Sequence, residues 1–493
     1  MKTNPSTSRP LPLPERRNAY YGGHWHDPAL GHFAETINPG TGESLGRVAQ
    51  CSADDVDAAV AAARRAFDEW RAVAPLERAR ILKALAAVVR EHAEELAAID
   101  AADCGNPVRE MMGDARVAAA QLEFFAGLVT EMKGASIPMG PDVVNFSVRE
   151  PLGVVARIIP FNHPFMFCAC KSAAPLAAGN TVVIKPPEQA PLSSLRLAEL
   201  TQGLLPPGVF NVVPGGRDVG AALASHRDVA KVALIGSVAA GRAVMRAASD
   251  TVKPVLLELG GKNALIAYPD ANPDAVAAAT VAGMNFTWCG QSCGSTSRAF
   301  IHASIYDAVV KAVALCALAF RPGVPTEPTT TMGAIVSATQ RDRILEFIAS
   351  GEREGARLVC GGGVPDDPLL RNGFYIEPTV FADVTPDMRI AREEIFGPVL
   401  SLLRWTDEAT MLAQVNGVEY GLTCSIWTDD LSTACRAAMA VQVGYVWVNE
   451  VGKHFLGAPF GGVKQSGFGR EECIDEMLSF TQEKNIHVKL RSR

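Results

Sequence analysis

Apolar positions along the chain follow two periodicities, which change over near residue 150. From the first, Val56, Val60, Ala63 and Phe67 recur at helical spacing behind Ser52 and Asp55, which have the spacing of a capping box. Pro75 stands where a helix first turn tolerates proline, ahead of Ile81, Leu82, Leu85, Val88 and Val89. A third helix is predicted over 108–130. Residues 143–150 alternate instead, with Val144, Phe146 and Val148 set against Asn145, Ser147 and Arg149, as in a half-buried strand. Beyond Gly153, short apolar runs (154–159, 181–184, 209–213, 232–235, 255–259) are separated by helical stretches (164–178, 191–204, 218–224, 239–248). Strands that are apolar throughout are buried on both faces, so this block predicts βαβ units and a parallel sheet. A second alternating block spans 264–449, and 480–490 reads as a closing strand. The first ~50 residues read as an irregular arm with short strands. The fold class is α/β, without internal repeats.

Composition narrows the picture. A chain of 493 residues, 48% hydrophobic and 20% charged, has the apolar content for two or three domains and is too hydrophobic to be disordered. The net charge of −7, with no long basic run, gives no footprint for nucleic acid or an anionic membrane. Residues 1–17 carry four prolines and no apolar segment of the kind found in secretion signals. The uncharged run 275–297 is too polar for a bilayer span and predicts a buried helix entering a functional loop. Eleven scattered cysteines, an odd number, fit a reducing, cytoplasmic setting.

Five stretches could carry chemistry. Glu258 stands inside the apolar run 255–259, where desolvation raises a carboxyl pKa toward that of a useful base; pairing with a lysine at a strand end is the structural alternative. Cys293, in Gly290-Gln291-Ser292-Cys293-Gly294, suits an accessible thiol nucleophile, although most cysteines are small core residues. Cys289 lies four residues earlier, but no histidine or second cysteine pair completes a metal set, so no metal is expected. Asn162 between strand and helix either caps the helix or points its amide at a developing oxyanion. Lys185 and Glu188 follow a parallel strand, where α/β sheets bind ligands, or form a solvated pair. Gly236 and Ser237 open a helix whose backbone N–H groups can meet phosphate, but without the dinucleotide fingerprint.

In this order the stretches resemble the aldehyde dehydrogenase superfamily. The matches are Pro160-Phe161-Asn162, Lys185-Pro186-Pro187-Glu188, Gly236-Ser237, Glu258-Leu259-Gly260-Gly261-Lys262, Gly290-Gln291-Ser292-Cys293, Glu393 through Val399, Pro459 through Gly462 with Lys464 through Gly467, and Phe480-Thr481. The resemblance implies a Rossmann-like NAD-binding domain (1–130 plus 151–260), an α/β catalytic domain (261–465) and a small β oligomerisation element (131–150 plus 466–493). It assigns Cys293 as nucleophile, Glu258 as the base that activates water against the thioester, and Asn162 as oxyanion donor, with Lys171 and Glu471 relaying protons. Cofactor contacts fall on Ile159, Pro160, Phe161, Lys185, Glu188, Gly236, Ser237, Leu259, Glu394 and Phe396. A carboxylate at Glu188 favours NAD over NADP, because it would repel a 2′-phosphate. A homodimer or homotetramer is implied.

The matching substrate-channel positions are His163, Phe167, Cys170, Thr287, His454 and Phe460. Cys170 and Thr287 stand where bulky aromatics are frequent, and no Arg or Lys is present to clamp an acidic substrate. An apolar or aromatic aldehyde is therefore expected. Departures from the family pattern include Phe161 in place of Trp, Trp288-Cys289 in place of Asn-Gln, Val238 in place of Thr and Phe480 in place of Tyr. Two rivals remain: a coenzyme A-acylating semialdehyde dehydrogenase, which commonly lacks the carboxyl at Glu258, and a catalytically idle relative acting as a binding protein.

Overall fold

A computed structural model describes residues 11–491; the first ten residues, part of the stretch weighed as a targeting segment, lie outside it. Two sheets dominate. The first runs, in spatial order, Gly467–Phe468, Val255–Leu259, Val229–Gly236, Val154–Ile158, Thr181–Lys185, Phe210–Val212, Ala19–Tyr21 and His24–His26. Its five central strands are parallel. The chain enters at Val154, adds two strands on one side, then crosses to add two on the other. The order therefore reverses between Val154–Ile158 and Val229–Gly236, the crevice where open α/β sheets bind ligands.

Register sets what reaches that crevice. Lys185, Ile158, Leu234 and Leu257 form one row across four strands. The next row places Glu258 beside Ile235. Lys185, Ile159, Gly236 and Glu258 thus all lie at the carboxyl ends of their strands, and Asn162 follows a few residues on.

The second sheet has seven strands, in the order Arg357–Cys360, Thr379–Ala382, Val399–Trp405, Arg298–His302, Ala264–Ala267, Thr423–Trp427 and Tyr445–Val448. Only its first pair is antiparallel. A small third sheet joins Thr481–Lys489 antiparallel to Val143–Pro151, with Ser136–Ile137 at its edge. Gly467–Phe468 pairs with Leu257 and Glu258 in the first sheet, and the small sheet receives the chain at Thr481.

Local signals decide most element ends. The Ser52 N–H donates to Asp55 Oδ2 at 2.7 Å, and Pro75 opens the next helix. The helix beginning at Val108 stops at Gly127, and the uncharged run is helical only to Gly283. One helix, Ala93–Cys104, has no counterpart in the sequence reading. Leu96, Ile99, Asp100, Ala102 and Asp103 are all buried, so it lacks the polar face that marks an amphipathic helix. Its acids cap its neighbours: Asp100 Oδ2 accepts from the Phe165 N–H at 3.1 Å, and Asp103 Oδ2 from the Leu192 N–H at 2.9 Å. Among the described residues no helix is long and apolar enough to cross a membrane.

A buried guanidinium fastens the C-terminal segment to the first sheet. Arg157 donates to Glu471 at 2.9 Å and to Glu476 at 2.8 Å, and lies over the Phe480 ring at 4.8 Å. Removing one partner of such a buried pair strands the other charges, at about 3–5 kcal/mol. Arg157→Met is expected to lower the unfolding free energy by about that amount, read from urea midpoints; a loss under about 1 kcal/mol would show that the network is not structural.

Candidate active site

Glu258 is 5% exposed, and its Oε1 is buried without a hydrogen-bond partner. Burial first, then the Glu471 carboxylate, pushes its carboxyl well above the usual range, against Lys171 and Arg470. Gly461 makes room for it: a Cβ there would stand 2.7 Å from Glu258 Oε1. The structure therefore keeps a carboxyl desolvated and short of partners, so it holds its proton more tightly than a surface glutamate does.

Cys293 sits on the loop after the short helical turn Phe286–Trp288, reached through left-handed backbone at Asn285, Cys289 and Gly290. Its thiol is half-buried, whereas Cys289 is buried completely. The loop is tied to the connection between the two sheets through Asn263, whose Nδ2 donates to the Cys293 carbonyl at 2.6 Å and the Ser295 carbonyl at 3.0 Å. Five positions after Glu258, Asn263 thus couples the two reactive groups. Burial first, then the Glu258 and Glu394 carboxylates, pushes the Cys293 thiol up to about 12.

Asn162 is 4% exposed, and its carbonyl accepts from Asn106 Nδ2 at 2.6 Å. Its Oδ1 is buried and unpaired. The adjoining helix Pro164–Ala178 is fixed at its start by Asp100, so the turn carrying Asn162 is held from both sides. Lys171 Nζ lies 2.7 Å from Glu471 Oε2, and both are buried. Burial would lower this lysine, but Glu471 and Glu476 outweigh it and hold it well above its ordinary value.

The cofactor positions line the crevice. Lys185 is pulled down to about 8 by burial, and its Nζ donates to the Pro186 carbonyl. The Glu188 carboxylate packs beside Gly216, the cap of the helix Arg217–Ser225. Ser237 caps Val238–Ser249 with its side chain on the Ala240 N–H, leaving the first turn facing the strand ends. Across the crevice, Glu394 accepts from the Gly261 N–H at 3.0 Å, and burial raises it to about 6. A Cβ at Gly260 would collide with this carboxylate. Phe396 meets Phe161 edge to face at 5.6 Å. A recess lined by Gly261, Ser292, Glu394 and Phe396 lies between Glu394 and the Cys293 loop. Such a row of a lysine, two carboxylates and a free helix start suits a dinucleotide's ribose hydroxyls and pyrophosphate.

The channel positions divide. His163, Phe167 and Trp288 pack together, and Phe460 lies 4.3 Å from the His454 ring. His454 is exposed and paired with Glu472. Thr287 is half-buried. Cys170 is fully buried on the helix Pro164–Ala178, next to Lys171. Residues the sequence reading passed over include Asn106, Asp114, Arg157, Asn263 and Glu476. Asp114, Arg157 and Glu476 signal themselves only as polar positions inside helices or strands, and Asn106 and Asn263 lie in loops, where polarity is no signal.

A buried carboxyl that raises a nearby thiol electrostatically, at a crevice of the kind that takes a dinucleotide, suits an NAD-linked oxidoreductase. The comparisons agree: the model of the aldehyde dehydrogenase family matches residues 25–486, and the chain belongs to that family. It is 52% identical over 486 residues to aldehyde dehydrogenase tropH of Talaromyces stipitatus, covering 97% of this chain and 94% of that one. The crystal structure of PnpE from Pseudomonas sp. WBC-3 is similar, with a TM-score of 0.94, 40% identity and 97% and 98% of the two chains covered. So is an NAD+ complex of an aldehyde dehydrogenase from Bacillus cereus, with a TM-score of 0.93, 37% identity and 97% of each chain covered.

Two outcomes follow from these electrostatics. Alkylation of Cys293 by iodoacetamide in the cofactor-free protein, followed peptide by peptide, is expected to rise about tenfold per pH unit between roughly pH 7 and 9; a plateau in that window would contradict the raised thiol. Glu471→Gln removes a negative charge beside Glu258 and frees Lys171 from its partner, and both changes lower the Glu258 pKa. The acid limb of the turnover profile should move to lower pH, and a move to higher pH would contradict the assigned causes.

Proposed function

We propose that this chain oxidises an aromatic or otherwise apolar aldehyde to its carboxylic acid with NAD, by covalent catalysis at Cys293 and hydrolysis by water. The observation that carries the reading is the unpartnered, desolvated carboxyl of Glu258, which electrostatically faces the half-buried thiol of Cys293.

The Cys293 sulfur attacks the aldehyde carbonyl carbon, and the thiol proton leaves toward Glu258. The Asn162 side-chain amide and the Cys293 N–H hold the oxygen of the thiohemiacetal as its charge develops. NAD, when bound, accepts the hydride that leaves this carbon, and the product on the sulfur is a thioester. Glu258, deprotonated again, takes a proton from water as the water oxygen adds to the thioester. The carbon–sulfur bond then breaks, releasing the acid and restoring the thiol. Lys171 and Glu471 lie behind Glu258 and carry its proton onward.

The residues present fit the dinucleotide. Lys185 and Glu188 would bond the adenosine ribose, with Ile159, Pro160, Phe161 and Leu259 walling it, and Glu188 would repel a 2′-phosphate. Gly236 and Ser237 would meet the pyrophosphate, and Glu394 and Phe396 the nicotinamide ribose and ring. The NAD+ complex of the Bacillus cereus relative supports this assignment. The eleven free cysteines suit a reducing cytoplasm. The third sheet, with its outer edge open at Thr481–Lys489, supports assembly into a dimer or tetramer. We also propose the three-part division read from the sequence, with the small sheet's second part beginning at Thr481.

NADH should appear from NAD and an aldehyde panel without coenzyme A, and Cys293→Ala should reduce turnover by at least about a thousandfold while leaving NAD affinity within a few-fold. NADH formed only when coenzyme A is added would establish an acylating enzyme instead, and none under either condition would reject catalysis.

A further inference from the structure

Next to Asn162, the side chain of His163 is 8% exposed, and its Nδ1 lies 2.8 Å from Asp114 Oδ2, which is as deeply buried. Asp114 lies on the helix Val108–Gly127, whose sequence pattern marked it only as a break in an apolar face. A carboxylate can only accept, so Nδ1 carries the proton and Nε2 is left as an acceptor. Among the described residues Nε2 has no hydrogen-bond partner.

Trp288 meets this imidazole edge to face with centroids 4.7 Å apart, and Phe167 meets it at 5.7 Å and 90°. The indole Nε1–H of Trp288 is buried and likewise unpaired. A buried donor and a fixed acceptor, on touching rings one turn from the nucleophile's loop and one residue from Asn162, are a mismatch for a purely apolar ligand. The Trp288 Nε1–H is already closed off from water, so a ligand seated against these rings must bring it an acceptor and bring Nε2 a donor. A hydroxyl is both donor and acceptor. The flanking Phe167 and Trp288 faces suit a flat ring.

We propose that His163, oriented by Asp114, and Trp288 select aromatic aldehydes that carry a ring hydroxyl: the hydroxyl donates to His163 Nε2 and accepts from Trp288 Nε1–H. His163 and Trp288 touch the substrate, and Asp114 is a positioning residue that sets the imidazole's tautomer. This selection rests on the aldehyde oxidation proposed above and refines its substrate class. It narrows the apolar or aromatic aldehyde expected from the sequence to aromatic aldehydes that carry a ring hydroxyl.

The test compares kcat/KM for meta- and para-hydroxybenzaldehyde with that for benzaldehyde and the matching tolualdehydes, in which a methyl replaces the hydroxyl, at a pH that keeps the phenol protonated. One hydroxylated isomer is expected to exceed its tolualdehyde by at least about tenfold. That ratio should fall to within about twofold in His163→Phe and in Asp114→Asn, and recover in part in His163→Gln, which restores an acceptor. Competitive inhibition of the unmodified enzyme by the cresols against toluene supplies a readout independent of any variant, with the cresols expected to bind more tightly. Equal kcat/KM for hydroxylated and methylated aldehydes in the unmodified enzyme, with both oxidised, would overturn the selection and leave aldehyde oxidation standing. A preference that survives His163→Phe would overturn the role of His163. Failure to oxidise any aldehyde would reject the underlying activity, and this inference with it.

Discussion

A buried carboxyl group whose Oε1 has neither water contact nor a hydrogen-bond partner is the constraint on which the electrostatics of this site turn. Glu258 is carried into that position by the register of a parallel strand, with Ile235 beside it and Gly467 on its other flank. Isolated in an apolar setting, its ionised form would cost several kcal/mol, so the group retains its proton over a range where surface glutamates are ionised. What tempers the cost is the charge behind it. Arg157 and Lys171 compensate Glu471 and Glu476, and the arrangement leaves Glu258 close to neutral rather than buried beside uncompensated anions. The thiol of Cys293 answers to the same balance, because the Glu258 charge is part of what keeps its proton on.

The two halves of the site come from different sheets, and short polar tethers join them. Asn263 leaves the Glu258 strand and grips the carbonyls on either side of the Cys293 turn, while its Oδ1 accepts from the Thr423 N–H of the second sheet. Asn106 and Asp100 do the same for the Asn162 turn from a buried helix. Each tether is a side chain bonded to backbone, so it fixes loop position without supplying chemistry. The cofactor crevice depends on the same economy: Gly260 exists so that Glu394 can reach the Gly261 N–H.

Much of this was legible in the sequence. The apolar runs and helical stretches located the parallel block with ends off by a few residues, because continuous burial on both faces leaves a one-letter signature; Val255–Leu259 and Pro164–Ala178 coincide with their predicted limits. Glu258, Cys293 and Asn162 drew notice because their polarity or reactivity stands against small or apolar neighbours. What escaped was polar chemistry that becomes meaningful only across space. Asp114 and His163 are 49 positions apart, and Arg157 and Glu476 are 319 apart. Helix Ala93–Cys104 escaped because burial on all sides erases periodicity.

Pre-steady-state NADH formation by Glu258→Gln with NAD and an aldehyde tests the account most directly. It predicts a burst approaching one NADH per active site, followed by a steady rate slowed about a hundredfold or more relative to the unmodified enzyme, because the thioester forms but its hydrolysis lacks a base. A variant whose steady rate is unchanged would contradict the placement of the base at Glu258.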